Sequence, residues 1–170
     1  AGQAPVVFEV DGTKFGVLIC EDAWFDEPAA AAKAAGAEVL CVLNASPFHL
    51  GKCAEREHRI AERARQVGAP LLYSHLTGAQ DEVVFDGASF AVDARGVVRA
   101  RAAMFEEALT LVEVEGGALR GPLAAVPALE AQAWAALVTG VRDYIVKNGF
   151  PGAIIGLSGG IDSAPTRGAP

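Results

Sequence analysis

Two short apolar runs do most to restrict the fold. Glu38–Leu43 (EVLCVL) and Pro70–Ser74 (PLLYS) are bounded by turn signals and are the length of strands, and EVLCVL is apolar enough to be covered on both faces. Between them Lys52–Val67 is charged and helical, with Cys53, Ile60, Ala61, Ala64 and Val67 on one face. Upstream, Val6–Val10 and Lys14–Cys20 are β-rich runs joined by Asp11-Gly12, a hairpin turn pair. Asp26 to Gly36 reads as an alanine-rich helix that Gly36 closes. From Asp86 the pattern turns to strands alone: GASFAVD, a turn at Ala94-Arg95-Gly96, VVRARA and ALTLVEV. The order strand, helix, strand, helix, strand, then strands describes an α/β chain. Its mixed sheet carries helices on one face and needs a partner layer on the other.

Near residue 120 the character changes. Gly116 to Pro127 has the Gly/Pro composition of a linker. Ala128–Lys147 follows as an amphipathic helix, with Trp134, Val138, Val141 and Ile145 on its apolar face. Asn148-Gly149 ends it, and Ala153–Leu157 reads as a strand running into Ser158-Gly159-Gly160-Ile161-Asp162-Ser163. Glycines and hydroxyls behind a strand bring backbone amides and a helix N-terminus to an anion. Pro165, Gly168 and Pro170 stand where the apolar helix is expected. The expected division is therefore 1–115, a linker at 116–127, and the truncated start of a second domain at 128–170.

Charge narrows the partners. Fourteen basic against 21 acidic residues give a net charge of −7 without a basic run, which argues against nucleic acid or an anionic membrane. No apolar run approaches the roughly 20 residues of a membrane span. The first residues show neither the basic start nor the apolar core of a signal peptide. Without an initiator Met, the start reads as processed, tagged or cut. The three cysteines, Cys20, Cys41 and Cys53, have no metal-ligand spacing and point to a reducing, cytoplasmic setting. His49, His58 and His75 read as surface or packing residues. Glu9 and Lys14 read as exposed hairpin positions.

The first chemical candidate is GVLICEDAWF at 16–25. A thiol at the end of a β-run, where the chain turns sharply, resembles a nucleophile elbow. The competing reading is a small core cysteine. The carboxylates of Glu21 and Asp22 would raise its pKa, so activation calls for a cation or base from elsewhere. NASPFHLGK (44–52) ends the next strand, where Asn44, Ser46 and Lys52 are placed to line the same edge. LLYSHLTGAQDEVVFDGASF (71–90) puts Gln80, Asp81 and Glu82 in a loop before a strand.

Together GVLICEDAWF, NASPFH and GAQDEVVFDGASF resemble the carbon–nitrogen hydrolase (nitrilase-type) glutaminase domain of glutamine-dependent NAD synthetases. LSGGIDSA at 157–164 is similar to the pyrophosphate loop of their synthetase domain. The resemblance runs from about residue 6 to residue 164. It implies part of a nitrilase-like α-β-β-α sandwich, followed by the first helix and strand of a Rossmann-like ATP-pyrophosphatase domain. It further implies Cys20 as the nucleophile that forms a thioester with L-glutamine. Glu21, Ser46 and Lys52 take positions that hold the substrate. Ser158, Gly159, Gly160, Asp162 and Ser163 take positions that hold ATP. The ATP, with Mg²⁺, would adenylate nicotinic acid adenine dinucleotide, and ammonia would displace AMP to give NAD. The parent is implied to be a cytoplasmic homo-oligomer. The family's general-base glutamate and oxyanion lysine lie upstream of the cysteine, in segments this chain lacks. The isolated chain is thus expected to lack useful glutaminase activity and to bind ATP weakly or not at all. Ala79 departs from the glycine more usual before Gln80-Asp81-Glu82. Two other readings stand beside this one: a stand-alone nitrilase-type amidase, and a non-catalytic truncated remnant.

Overall fold

The structure is a computed structural model that describes residues 4–156 and 160–161. Strand β1 (Val6–Val10) turns through Asp11-Gly12 into β2 (Thr13–Ile19). Both turn residues have positive φ, 48° and 80°, the hand that matches the twist of a tight hairpin. One turn of 3-10 helix, Cys20–Trp24, leads to α1 (Asp26–Ala34), then β3 (Val39–Asn44) and α2 (Lys52–Val67). Strand β4 (Leu71–His75) precedes a hairpin of β5 (Thr77–Gln80) and β6 (Val83–Asp86). Strands β7 (Phe90–Val92) and β8 (Val98–Arg101) form a second hairpin, and β9 (Glu113–Glu115) and β10 (Ala118–Arg120) a third. Helix α3 (Leu129–Lys147) completes the elements.

The main sheet has the order β1-β2-β3-β4-β7-β8. Strands β2, β3 and β4 are parallel, and the flanking pairs are antiparallel. Leu18, Leu40, Val42, Leu71, Tyr73, Phe90 and Val92 pack against the alanines of α1 and against Ile60, Ala61 and Ala64 of α2. Gly16 makes this closeness possible: a Cβ there would lie 2.8 Å from Leu40 Cδ2 and 2.9 Å from the Ala37 methyl. The opposite face is covered over β7 and β8, where Ala91 and Ala100 meet Leu119, Val112 and Val114. Over β2 and β3 it is open, with Ile19 and Leu43 exposed. One helix layer on one sheet, with a face left for another layer, is the arrangement the strand–helix order predicts.

Several details differ from the sequence reading. Helix α2 buries Arg56 and Arg63 along its apolar stripe. Of ALTLVEV only Glu113 and Val114 join a ladder. Residues 108–112 cross the sheet face without pairing, and Leu109 and Leu111 are exposed. The stretch 116–127 contains β10, whose Leu119 is buried against β8, and Leu123 bridges Arg101. Helix α3 rests on the β5–β6 hairpin, where Asp143 and Lys147 bond the main chain of Ala79; Gln132, Ala136 and Thr139 are its buried residues, whereas Trp134 and Val141 are exposed. Of the expected apolar stripe of α3, Trp134 and Val141 thus lie on the exposed side, while Val138 and Ile145 are half-buried. Residues 153–156 carry no ladder and Ile154 is fully exposed, so the strand expected there is absent among the described residues; no neighbouring strand pairs with it. Of the anion-loop positions, Ser158, Gly159, Asp162 and Ser163 lie outside the described residues, and Gly160 is exposed.

Candidate functional site

The parallel strands end level with one another. Register pairs Ile19 with Leu43, Leu43 with Ser74, and Asn44 with His75. Open α/β sheets bind ligands outside the carboxyl ends of such strands. Here Cys20, Asn44, Ser74, His75 and Glu107 are among the residues lining an open cleft of about 610 Å³.

Cys20 is the first residue past β2, half-buried, with φ of 51°. That left-handed conformation costs a non-glycine residue roughly 1–2 kcal/mol, so the surroundings must hold it. The Asp22 carboxylate does so from the front, accepting the Ile19 N–H at 2.9 Å. From behind, Arg63 Nε donates to the Ala23 carbonyl at 3.3 Å, and Arg63 also bonds Asp26. The buried arginine of α2 thus braces the strand-to-turn bend that presents the thiol. Cys41 and Cys53 are different: burial pushes both thiols up, and neither borders this cleft.

The other expected glutamine contacts divide. Ser46 lies in the loop after β3, where its N–H donates to Asn44 Oδ1 at 2.8 Å and its Oγ is 3.3 Å from His75 Nε2. Glu21 is exposed beside Cys20 but is not among the cleft-lining residues. Lys52 sits at the start of α2, 3.1 Å from Glu55 and 4.8 Å above the Trp24 ring, and also does not line the cleft. Its ammonium holds the Glu55 carboxyl below the usual carboxylate range. Among the described residues no group of three or more His, Cys, Asp and Glu is placed to hold a metal ion.

Two features of the site had no signature in the spacing. Glu107 reaches the cleft because the chain reverses at Phe105 (φ 59°). Beneath the cleft, Arg56 is ion-paired with Asp86, and His75 Nδ1 lies 3.9 Å from Asp86 Oδ1; all three side chains are buried. The sequence signal for this group is a polar residue on an otherwise apolar stripe, Arg56, together with an aspartate ending a strand.

Residues 1–120 match the carbon-nitrogen hydrolase family. The chain belongs to that family. Residues 133–167 match the NAD synthase family. Its sequence is 48% identical over 167 residues to a glutamine-dependent NAD(+) synthetase of Xylella fastidiosa, covering 93% of this chain and 30% of that protein. Its fold is similar to that of a glutamine-dependent NAD+ synthetase from Acinetobacter baumannii solved with ADP. The TM-score is 0.88 at 38% identity, over 97% of this chain and 32% of that one. An amidase from Nesterenkonia sp. is similar at a TM-score of 0.55 and 28% identity, over 61% of this chain and 38% of that one. The chain thus spans about 30% of the length of the curated relative it matches.

Proposed function

We propose that this chain carries the glutaminase nucleophile and the entry to the synthetase domain of a glutamine-dependent NAD synthetase. The domains divide as 1–115, 116–127 and 128–170. The observation that carries the reading is Cys20, braced in a left-handed turn at the ends of three parallel strands and opening on a cleft. In this reading Cys20 Sγ attacks the side-chain amide carbon of L-glutamine, with Ser46 and Glu21 at its amino-acid end. Ammonia leaves with the proton the thiol gives up, and the thioester forms. Water then returns the thiol and releases glutamate. The ammonia displaces AMP from adenylated nicotinic acid adenine dinucleotide, and residues 158–163 cradle the ATP. The metal that accompanies ATP is assigned no ligand in this chain. The setting is cytoplasmic and the parent a homo-oligomer. Glu107 is the one carboxylate among the described cleft-lining residues, and no lysine is among them. No general base or oxyanion donor is assigned among the described cleft-lining residues, and low steady glutamine turnover is expected of residues 1–170.

The test separates the nucleophile from turnover. A glutamine-shaped chloroketone should alkylate Cys20 with saturation, and L-glutamine should protect, as read by peptide mass mapping. Labelling spread over Cys41 and Cys53, or indifference to glutamine, would overturn the reading. Equal protection by a simple aliphatic amide would favour a stand-alone amidase.

A further inference from the structure

Helix α2 packs on the turn that Cys20 opens, and it carries a row of cations. Lys52, Arg56, Arg59 and Arg63 recur at the spacing of one helix face. Arg56 is taken by Asp86, and Arg63 by the Ala23 carbonyl and Asp26. The other two converge on Trp24. Lys52 Nζ and Arg59 Cζ each lie 4.8 Å from the centre of its ring, within the roughly 6 Å over which an aromatic face attracts a cation. Glu55 ties these cations together, 3.1 Å from Lys52 and 3.6 Å from Arg59. The Lys52 side chain is 15% exposed, so its ammonium is lodged against the ring.

Trp24 is the last residue of the 3-10 turn whose first residue is Cys20. The turn is held at its start, where Asp22 accepts the Ile19 N–H, and near its end, where Arg63 takes the Ala23 carbonyl. The ring of Trp24 closes it against α2. A residue with a Cβ keeps a φ of 51° only while its surroundings over-determine it. With the ring released, the chain at Cys20 gains room to relax toward an ordinary negative φ, and the thiol turns from the cleft.

We infer that Trp24, Lys52 and Arg59 are positioning residues for the nucleophile: the two cations pin the indole, and the pinned indole keeps Cys20 in the conformation that opens on the cleft. Lys52 then serves the thiol through Trp24, in place of the substrate contact expected of it. This deepens the function proposed above and rests on it. None of the three is among the residues lining the cleft, so their loss falls on alignment of the thiol and not on capture of the amino-acid end.

The experiment compares two alkylating agents on the 170-residue chain, with labelling of Cys20 read by peptide mass mapping. The glutamine-shaped chloroketone meets the thiol in one orientation, whereas iodoacetamide approaches from any side. Trp24→Leu should lower the limiting chloroketone rate about tenfold, the population shift that the strain of a left-handed cysteine allows. The half-saturating concentration and the iodoacetamide rate should stay unchanged. Trp24→Phe keeps an aromatic face for the cations and should recover much of the rate. Lys52→Met and Arg59→Met keep much of the stems, remove the charges and should each cost about threefold. Neither should cost more once Trp24→Leu is in place, because both act through the ring. If Trp24→Leu does not fold, the two Met variants decide: a fall in their limiting rates supports the clamp, and unchanged rates refute it. Failure of the parent chain to saturate would bring down the glutamine reading and this one with it. Saturation in the parent with an unchanged limiting rate in folded Trp24→Leu would overturn the clamp alone. So would a Lys52→Met effect confined to the half-saturating concentration, which would return Lys52 to the substrate.

Discussion

Replacing Arg56 by Met tests how the charge pair under the cleft is held. The Arg56 side chain is 1% exposed and its partner Asp86 is 0% exposed, so solvent screens neither. Met retains much of the buried stem, and the substitution removes the guanidinium from beside a carboxylate. Stranding one charge of a buried pair costs about 3–5 kcal/mol, a large part of the roughly 5–15 kcal/mol that a domain commands. Asp86→Asn should cost about as much by stranding Arg56. The double variant buries no charge and is expected within about 2 kcal/mol of the parent, far from the sum of the singles. Equilibrium urea unfolding at pH 7, followed by circular dichroism, reads all four corners of the cycle. Acid adds an internal control. Without Arg56, a protonated His75 takes its place beside Asp86, so the Arg56→Met penalty should shrink between pH 7 and pH 5. Additive single costs, or an Arg56→Met cost below about 1 kcal/mol, would refute the claim that Asp86 depends on this partner.

Other consequences are accessible to simple measurements. His75 is held neutral well below its unfolded pKa, so the folded state binds fewer protons in the acid range. Stability should be fully present above pH 6.5, and about 3 kcal/mol should be lost as pH falls toward 4; His75→Gln should flatten that part of the unfolding profile. Gly16→Ala forces a methyl against Leu40 and Ala37 and should cost about 1–3 kcal/mol in urea unfolding. An unchanged midpoint would mean the sheet and α1 are less closely packed than described. In a thiol-counting assay Cys20 should react in the native protein, whereas Cys53, 4% exposed, should wait for unfolding. Asp143→Leu should speed hydrogen exchange of the Ala79 amide, which donates to the Asp143 carboxylate.

The parts of the fold that were legible in the sequence are those where one physical demand dominates. Lys52–Val67 forms a helix over its whole expected length because its apolar stripe has a single layer to meet. The Asp11-Gly12 hairpin follows from local turn chemistry. Cys20 was visible because a β-run stops at it. What was not legible depends on long-range meeting. Residues 108–112 have the composition of a strand, but pairing needs a free edge, and they lie across a sheet face. Trp134 and Val141 have the periodicity of a buried stripe, but they are exposed, and the grip of α3 on its hairpin is made by the polar Asp143 and Lys147. His75 and Asp86, eleven residues apart by their numbering, become neighbours only when β4 and the β5–β6 hairpin are laid side by side.

The attachment of α3 has a consequence for how this chain tolerates change. Asp143 accepts the Ala79 N–H at 2.8 Å, Lys147 donates to the Ala79 carbonyl at 2.6 Å, and the two side chains are 3.2 Å apart. Both contacts are made to main-chain atoms. The hairpin can therefore drift in sequence, within the room around residue 79, while its partner helix must keep an acid and a base four positions apart. Mutational scanning of the two elements should come out lopsided, permissive at residue 79 for small side chains and strict at residues 143 and 147.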